Sequence, residues 1–233
     1  MSENRQMTKP RCERAKSERR RSILDFLAGA VVACIVIYLV QTYAYEAGIL
    51  FTNKQVDTKA RDAAERPWAH KLEVPGLPNL HKVSDELYRG AQPSAEGMRQ
   101  LKKLGIKTVV NLRSFHSDRG EIGDTGLAYE HIYMKTWHPE DKEVVRFLQI
   151  VTDPNRTPVF VHCKRGADRT GTMCAIYRIA VQGWSKPEAI KEMTKGGFGF
   201  YSGWQNLINY IQKLDIDEIK RRAGLKAPPL RPL

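Results

Sequence analysis

Residues 159–171 read VFVHCKRGADRTG, and this stretch decides the fold. Its first three residues are apolar and typical of a short buried strand, whereas residues 170–181 have the spacing of a helix. Between them lies a polar loop that begins at Cys163 and contains one glycine. The pattern therefore predicts a strand, a tight loop and a helix in immediate succession.

The same alternation continues outward along the chain. We predict strands at residues 87–89, 106–112, 127–134 and 159–161, and helices at residues 94–104, 141–151, 170–181, 187–195 and 204–222. Strands that alternate with helices form a sheet whose faces are covered by those helices. The sequence therefore predicts an α/β fold with a central, mainly parallel sheet flanked by helices.

The loop after Cys163 has the chemistry of an anion site. Backbone N–H groups of residues 164–169 can point into one concavity, and the N-terminus of the following helix adds positive charge. Arg169 offers a planar fork for two phosphate oxygens. The same field lowers a thiol pKa, so Cys163 is predicted to be a nucleophilic thiolate, supported by His162 and Thr170. The predicted phosphate-binding residues are Lys164, Arg165, Gly166, Ala167, Asp168 and Arg169.

His-Cys-x-x-Gly-x-x-Arg-Thr-Gly resembles the signature loop of the protein tyrosine phosphatase superfamily, in its small dual-specificity branch. Two upstream segments, LYRGAQP at 87–93 and VVNLR at 109–113, resemble bacterial members of that branch and the fungal inositol-pyrophosphate phosphatases. The resemblance covers about residues 79–212. It implies a cysteinyl-phosphate intermediate on Cys163, a phosphoryl group stabilised by Arg169, and no metal or other cofactor.

The general acid is less clearly marked. The family usually takes it from an aspartate on a loop ahead of the signature, and WHPED at 137–141 is the counterpart here. An extra residue separates its Trp from its Pro, and two acids compete within it. We predict Asp141, with Asp168 and Glu140 as the alternatives, although Asp141 could instead cap the helix that it begins.

The substrate is predicted from charge. Lys164 and Arg165 add two cations that one phosphate monoester does not need, but that an inositol phosphate or a phosphoinositide headgroup could use. Both side chains could equally face solvent. The expected partners are therefore a phosphorylated protein, a phosphoinositide or an inositol phosphate, and no nucleic acid.

Two other classes of protein remain open at this stage. One is a catalytically silent phosphate-binding scaffold on the same fold, against which the intact Cys163, Arg169 and Thr170 argue. The other is a rhodanese-type sulfurtransferase, whose anion-binding loop usually closes sooner and lacks the Arg-Thr-Gly helix entry.

The N-terminal region indicates a membrane anchor. The net charge of +12 includes +5 within residues 1–22, and the next eighteen residues, 23–40, carry one charged side chain. A helix of about 20 such residues spans a bilayer, and the flanking arginines place the N-terminus in the cytoplasm. A cleaved signal peptide usually has a shorter apolar stretch.

The predicted organisation therefore has five parts. They are a basic cytoplasmic tail (1–22), a transmembrane signal anchor (23–45), a tether (46–78), a phosphatase domain (79–212) and a basic C-terminal helix end and tail (213–233). We expect a bacterial, membrane-anchored type of phosphatase, with its catalytic domain on the outer side, which is periplasmic in a Gram-negative cell.

Overall fold

The computed structural model describes residues 38–40, 42–43 and 66–225. The chain divides into two units, residues 1–64 and residues 65–233. In the first unit, the described residues 38–40 and 42–43 are helical.

A six-stranded mixed sheet forms the centre of this unit, in the order β1-β2-β3-β6-β4-β5. The strands are β1 (His70–Lys71), β2 (His81–Lys82), β3 (Leu87–Gly90), β4 (Thr108–Asn111), β5 (Ala128–His131) and β6 (Val159–His162). Strands β3, β6, β4 and β5 run parallel, and β2 and β1 add antiparallel pairs at one edge. The predicted sheet is therefore confirmed as a mixed one, with a parallel centre.

Seven helices follow in chain order within residues 66–225. They are α1 (Ala95–Lys103), α2 (Arg119–Ile122), α3 (Asp141–Val151), α4 (Asp168–Ala180), α5 (Lys186–Lys195), α6 (Gln205–Lys213) and α7 (Ile216–Ala223). Helices α3 to α7 share one apolar core with β6, whereas α1 and α2 share the other. The predicted α/β fold, a sheet flanked by helices, is confirmed.

The central strand β6 contributes to both cores because successive side chains of a strand point to opposite faces. Val159 and Val161 belong to the core under α3 to α7, whereas Phe160 belongs to the core under α1 and α2. All three side chains have no exposed surface. The loop that follows β6 therefore starts from a fully buried strand in the middle of the sheet.

The C-terminal part of the sequence pattern differs from the structure. The sequence pattern predicts one helix over residues 204–222, but Leu214 has extended backbone angles (φ −59°, ψ 128°) and separates α6 from α7. Asp215 then caps α7, since its side chain accepts a hydrogen bond from the backbone N–H of Glu218. Asp215 therefore starts a new helix within a segment whose apolar spacing is continuous.

Ordered structure extends into both segments that flank the predicted domain of residues 79–212. Strand β1 lies within the predicted tether, and Leu77 is buried in the core with α1. At the other end, α7 contributes Ile219 to the core with α3 and α4. Packed residues therefore lie on both sides of the predicted range, whose bounds stay a prediction.

Among the residues that the structure describes, no helix combines the length and the apolar character that crossing a bilayer requires. Such a span needs about 20 helical residues, and the rest of the predicted anchor, residues 23–45, lies outside the described residues. The predicted localisation, a single-pass membrane protein with its catalytic domain on the outer side, is therefore corrected: the structure gives it no support.

Candidate active site

The loop between β6 and α4 is held against the end of β3. Gly166 has a φ of +70°, and an added Cβ would lie 2.4 Å from the carbonyl carbon of Gly90. Only glycine combines this left-handed backbone with so close an approach. A second contact joins the same segments, since the backbone N–H of Gln92 donates to the carbonyl of Lys164 at 3.3 Å. The loop is thus fixed by backbone contacts.

Cys163 begins this loop, and its side chain is 2% exposed. Burial alone raises a thiol pKa, but the Thr170 hydroxyl, backbone N–H groups and the Arg169 charge outweigh it, so the pKa of Cys163 lies below its usual range. The Thr170 hydroxyl is buried and has no hydrogen-bond partner among the described residues. The site therefore favours a thiolate.

Arg169 lies in the first turn of α4, beside the cysteine. Its Nη1 donates to the carbonyl of Leu112 at 3.1 Å and more weakly to that of Met134 at 3.4 Å. These two carbonyls follow β4 and β5, so the parallel strands bring both loops to the same edge of the sheet. The guanidinium is therefore oriented by backbone acceptors and has N–H groups left for an anion.

His162 supports the loop from the face of the sheet that carries α1 and α2. Its Nε2 donates to the Asp118 carboxylate at 2.7 Å, and both side chains are completely buried. The other oxygen of Asp118 accepts from Gln92 at 2.9 Å and from Asn111 at 3.1 Å. Burial raises the pKa of Asp118, but its hydrogen bonds and the charge of His162 prevail and hold it below the usual range. The carboxylate therefore stays ionised and fixes the ring of His162.

Arg89 supports the loop from the opposite face. Its side chain is 1% exposed, and its Nη2 donates to the carbonyl of Gly166 at 2.8 Å. The guanidinium lies over the Phe198 ring, 3.8 Å from the ring centre. A buried cation therefore lies directly under the loop that begins at Cys163.

Comparison with known proteins agrees with this geometry. A family model described as a DSP-PTPase phosphatase fused to NAD+ kinase matches residues 78–202. The dual specificity protein phosphatase TpbA of Pseudomonas aeruginosa is 35% identical over 162 residues, which are 69% of this chain and 74% of TpbA. The chain belongs to the dual-specificity phosphatase family. It is a cysteine-dependent phosphatase, a phosphoric monoester hydrolase.

Solved structures of relatives show the same fold. The crystal structure of P. aeruginosa TpbA matches with a TM-score of 0.61 and 33% identity, covering 69% of this chain and 99% of that one. The core catalytic domain of the S. cerevisiae PP-IP phosphatase SIW14 matches with a TM-score of 0.58 and 26% identity over 65% of this chain and 94% of that one. These relatives do not favour the two alternative functions, a catalytically silent phosphate-binding scaffold and a sulfurtransferase.

A plant relative broadens the range of substrates within the family. The inositol diphosphatase DSP5 of Arabidopsis thaliana is 27% identical over 155 residues, 62% of this chain and 73% of DSP5. TpbA has also been crystallised, as a cysteine-to-serine variant, in complex with phosphotyrosine. Phosphotyrosine and inositol phosphates are thus both represented among relatives of the phosphatase.

The structure places the predicted acids of the phosphatase in different surroundings. Asp141 is the first residue of α3, where its carboxylate accepts from the Tyr210 hydroxyl at 2.8 Å and lies 3.6 Å from Arg222. Asp168 is in the catalytic loop itself, but its two oxygens accept from the backbone N–H of Tyr201 and from Arg165. Each of these carboxylates therefore has structural partners in the described fold.

Glu140, the third candidate, is the N-cap of α3 and pairs with Lys142 at 2.7 Å. Its side chain is 34% exposed. The hydrogen bond to Lys142 is the largest influence on its carboxyl and lowers the pKa of Glu140. A lowered pKa makes a carboxyl a poorer proton donor at neutral pH.

The two cations predicted to select the substrate are both exposed. The Arg165 side chain is 64% exposed and pairs with Asp168 at 3.2 Å. Part of its charge is therefore already balanced within the loop, whereas Lys164 presents its charge to solvent. The remaining predicted members of the loop, Gly166 and Ala167, offer backbone only.

Two supporting residues were missed by sequence reasoning. Asp118 lies 44 positions before His162 in an irregular polar loop, and nothing in its local pattern marks it. Arg89 belongs to the quoted segment at 87–93, but its contact with Gly166 spans 77 positions. In both cases the signal is a three-dimensional contact and not a spacing.

One group of side chains in the described residues could hold a metal. His116, Asp118 and Glu121 offer ligand atoms that lie within 4.8 Å of one another. Both oxygens of Asp118 already accept N–H donors, from Gln92, Asn111 and His162. We therefore interpret Asp118 as part of the support for the catalytic loop and assign no metal to it.

Proposed function

We propose that the phosphatase acts through Cys163 as nucleophile, with residues 164–169 as the phosphate cradle. The observation that carries this proposal is a buried thiol whose pKa is held below its usual range at the N-terminus of α4. The Cys163 thiolate attacks phosphorus, and the bond to the leaving oxygen breaks as the S–P bond forms. Arg169 and the backbone N–H groups bind the equatorial oxygens of the transferred phosphoryl group.

The second half of the reaction regenerates the enzyme. Water attacks the phosphorus of the cysteinyl phosphate, the S–P bond breaks, and inorganic phosphate leaves with the thiolate restored. Thr170 is positioned to stabilise the departing sulfur, since its hydroxyl lowers the pKa of Cys163. His162 keeps the start of the loop in place through Asp118.

The test of the nucleophile is phosphate release by the full chain compared with its Cys163→Ser variant. We expect the variant to lose activity to background and the wild type to yield a phosphorylated Cys163 peptide after rapid acid quenching. A Cys163→Ser protein that keeps a tenth or more of the wild-type rate would contradict the proposal, and so would phosphate trapped on another residue.

Asp141 remains the predicted general acid in this proposal. Replacing it with Asn should lower turnover on a phenyl ester by about 10²-fold or more and leave turnover on an activated aryl phosphate nearly intact. The matched controls are Asp168→Asn and Glu140→Gln. A larger leaving-group dependence in either control would move the assignment to that residue.

For the substrate we propose a phosphotyrosine-bearing protein first. Three aromatic side chains are exposed on the loops that contact residues 163–169. They are Phe115 (92% exposed), Trp137 (61%) and Tyr201 (58%). Phe115 and Trp137 each lie three residues beyond a carbonyl that binds Arg169, and the backbone of Tyr201 binds Asp168. Aromatic side chains around a phosphate cradle favour an aromatic ester, since rings stack at an edge or face.

An inositol polyphosphate is the second candidate. The exposed Lys164 and Arg165 favour it, because a ring with several phosphates can occupy the cradle and bind further cations at the same time. The relatives named as inositol diphosphatase and PP-IP phosphatase support this alternative.

A substrate panel separates the two candidates. Phosphate release should be measured on phosphotyrosine peptides, inositol phosphates and phosphoinositides, with the wild type and with a Lys164→Gln/Arg165→Gln variant. For a phosphotyrosine enzyme, kcat/KM is highest on peptides and falls less than threefold in the double variant. A preference for inositol phosphates that is lost in the double variant would establish the second candidate.

We also propose that the phosphatase domain extends beyond residues 79–212 to residues 66–225. Two contacts support this extension. Leu77 packs in the core with α1 and α2, and helix α7 packs in the core with α3 to α6. Removing residues 66–78 would expose apolar surface and break the β1–β2 pairing. Shorter fragments are therefore expected to be less stable.

A further inference from the structure

Arg89 is a fully buried cation that the catalytic chemistry described so far does not use. Burying an unpaired charge is costly, and arginines in protein cores usually have a carboxylate partner. Within the described residues, the hydrogen-bond partner of this guanidinium is the neutral carbonyl of Gly166, and its Nε is buried without a partner. Its other close contact is the face of Phe198. The counter-charge of Arg89 has to lie elsewhere.

The sheet register shows where that charge is. Arg89 on β3 is the partner of Val161 on β6, and paired residues of parallel strands point to the same face. Cys163 follows Val161 by two positions and lies in the same core. The guanidinium also reaches the start of α4, since its Nη2 would lie 3.6 Å from a Cβ added at Gly171. Arg89 and the catalytic thiol therefore approach the same helix terminus from the same side.

The other titratable groups near Arg89 do not balance it. Burial lowers the pKa of Arg89, whereas Cys174, Glu192 and Cys163 raise it. Burial also raises the pKa of Cys174 to about 11, so this thiol is neutral at pH 7. The Glu192 carboxylate is bound by Arg178 at 2.7 and 2.8 Å. The anion that remains is the thiolate of Cys163.

We propose that Arg89 is a positioning residue for the reaction: it holds Gly166 and supplies the buried positive charge that keeps Cys163 ionised. The proposal rests on the function proposed above for Cys163. It adds a second cation to Arg169, on the side of the loop that substrate does not reach. The charged or titratable groups that act on the thiol or on Arg89 are then Arg169 and Cys174 from α4, Arg89 itself from β3, and Glu192 from α5 with its partner Arg178.

The direct test is the pH dependence of Cys163 alkylation by iodoacetamide in the full chain, with the Cys163 peptide quantified by mass spectrometry. Arg89→Gln and Arg89→Met remove the charge, and we expect the midpoint to rise so that alkylation on the acid side slows by about tenfold. Arg89→Lys keeps the charge and should stay within about threefold of the wild type. Arg99→Gln is the matched control, since the Arg99 side chain is 58% exposed and its charge is screened by water.

Two results would overturn the proposal. One is an unchanged alkylation profile in folded Arg89→Gln and Arg89→Met. The other is an equal shift in Arg89→Lys, which would assign the effect to the shape of the side chain and not to its charge. If the wild type itself titrates as an ordinary thiol near pH 8.5, the proposed function fails first.

A measurement on the native sequence covers the case in which the neutral variants do not fold. The ¹⁵N resonance of Arg89 Nε should shift as Cys163 titrates, because the nearby charge changes. The Cys163→Ser protein retains Arg89 and removes the titrating group, so the shift should disappear there. A resonance that stays constant through the titration of Cys163 would overturn the proposal.

Discussion

Two arginines are buried among the described residues of the second unit, one under the catalytic loop and one between α4 and α5. Arg89 is 1% exposed and Arg178 is 3% exposed. Each lies over an aromatic ring, Phe198 at 3.8 Å and Trp184 at 4.3 Å from the ring centre. Their surroundings are alike in burial and in apolar contact.

The two regions differ in how the charge is matched. Arg178 donates two hydrogen bonds to Glu192, at 2.7 and 2.8 Å, and further ones to backbone carbonyls. Arg89 has the Gly166 carbonyl and the ring of Phe198. A buried cation with its own carboxylate has its charge matched within the fold, whereas one without such a partner is available to stabilise an anion that forms in the active site.

The largest effect is expected where the matched pair is broken. Glu192→Gln leaves Arg178 buried without a counter-charge, and we expect the free energy of unfolding to fall by about 3–5 kcal/mol. Urea denaturation measures this loss. The double variant Arg178→Met/Glu192→Leu should recover much of it, because no charge is left unpaired. A loss below about 1 kcal/mol in Glu192→Gln would show that the pair is not structural.

A second prediction applies the same contrast to the other face of the sheet. Asp118→Asn replaces a carboxylate that accepts three N–H donors with an amide that turns an NH₂ toward at least one of them. We expect kcat to fall about tenfold or more, with the free energy of unfolding lower by about 1–3 kcal/mol. Glu121→Gln is the control, because it removes a neighbouring carboxylate that pairs with His116 and not with His162. An unchanged kcat in folded Asp118→Asn would contradict a role in placing His162.

A third prediction compares the two aromatic partners. Phe198→Leu and Trp184→Leu each remove a cation–π contact and should each cost about 1–2 kcal/mol of unfolding free energy. Only Phe198→Leu is expected to change kcat, because Arg89 holds the catalytic loop and Arg178 does not. Thermal unfolding and turnover, measured on both proteins, test this. Equal changes in kcat would remove the distinction between the two regions.

The smallest effect concerns a buried acid without an ion pair in the described residues. Desolvation raises the pKa of Glu143 to about 7, although the backbone N–H of Glu140 donates to it at 3.0 Å. Because the folded protein favours the protonated carboxyl, Glu143 contributes its full stability below pH 4.5, the pKa of this group in the unfolded chain. This stability is lost as the pH rises through about 7, the pKa of the group in the folded protein.

Glu143→Gln keeps an acceptor for that N–H and removes the charge. We therefore expect the variant to be more stable than the wild type by about 1 kcal/mol at pH 8 and nearly equal to it at pH 5. Urea midpoints at both pH values measure the difference. A variant that loses stability at pH 8 would show that the carboxylate is favourable there.

The contiguous part of the active site was accessible from the sequence. Cys163, Arg169 and Thr170 stand within eight positions between an apolar strand and a helix, and that local order carries the chemistry. The fold class followed in the same way, because β-branched runs alternate with helical spacing. The roles assigned to the individual residues stay predictions until they are tested.

The supports of the loop were not accessible, because they arise from topology. Strand β6 lies between β3 and β4 in the sheet, although both precede it in the chain by many residues. This order brings Arg89 and Asp118 to the loop from opposite faces. No spacing in the sequence indicates that these residues contact the loop. The break at Leu214 was not predictable for a similar reason, since one residue with extended backbone divides a continuous helical periodicity.

The contact between Gly166 and Gly90 divides the catalytic loop into a fixed part and a variable part. A Cβ added at Gly166 would lie 2.4 Å from the carbonyl group of Gly90. Any side chain at position 166 would therefore push β3 and the loop apart. Lys164 and Arg165, in contrast, extend into solvent. A library that randomises positions 164 and 165 and keeps the two glycines therefore varies the exposed side chains of the loop and leaves the contact that holds its backbone in place.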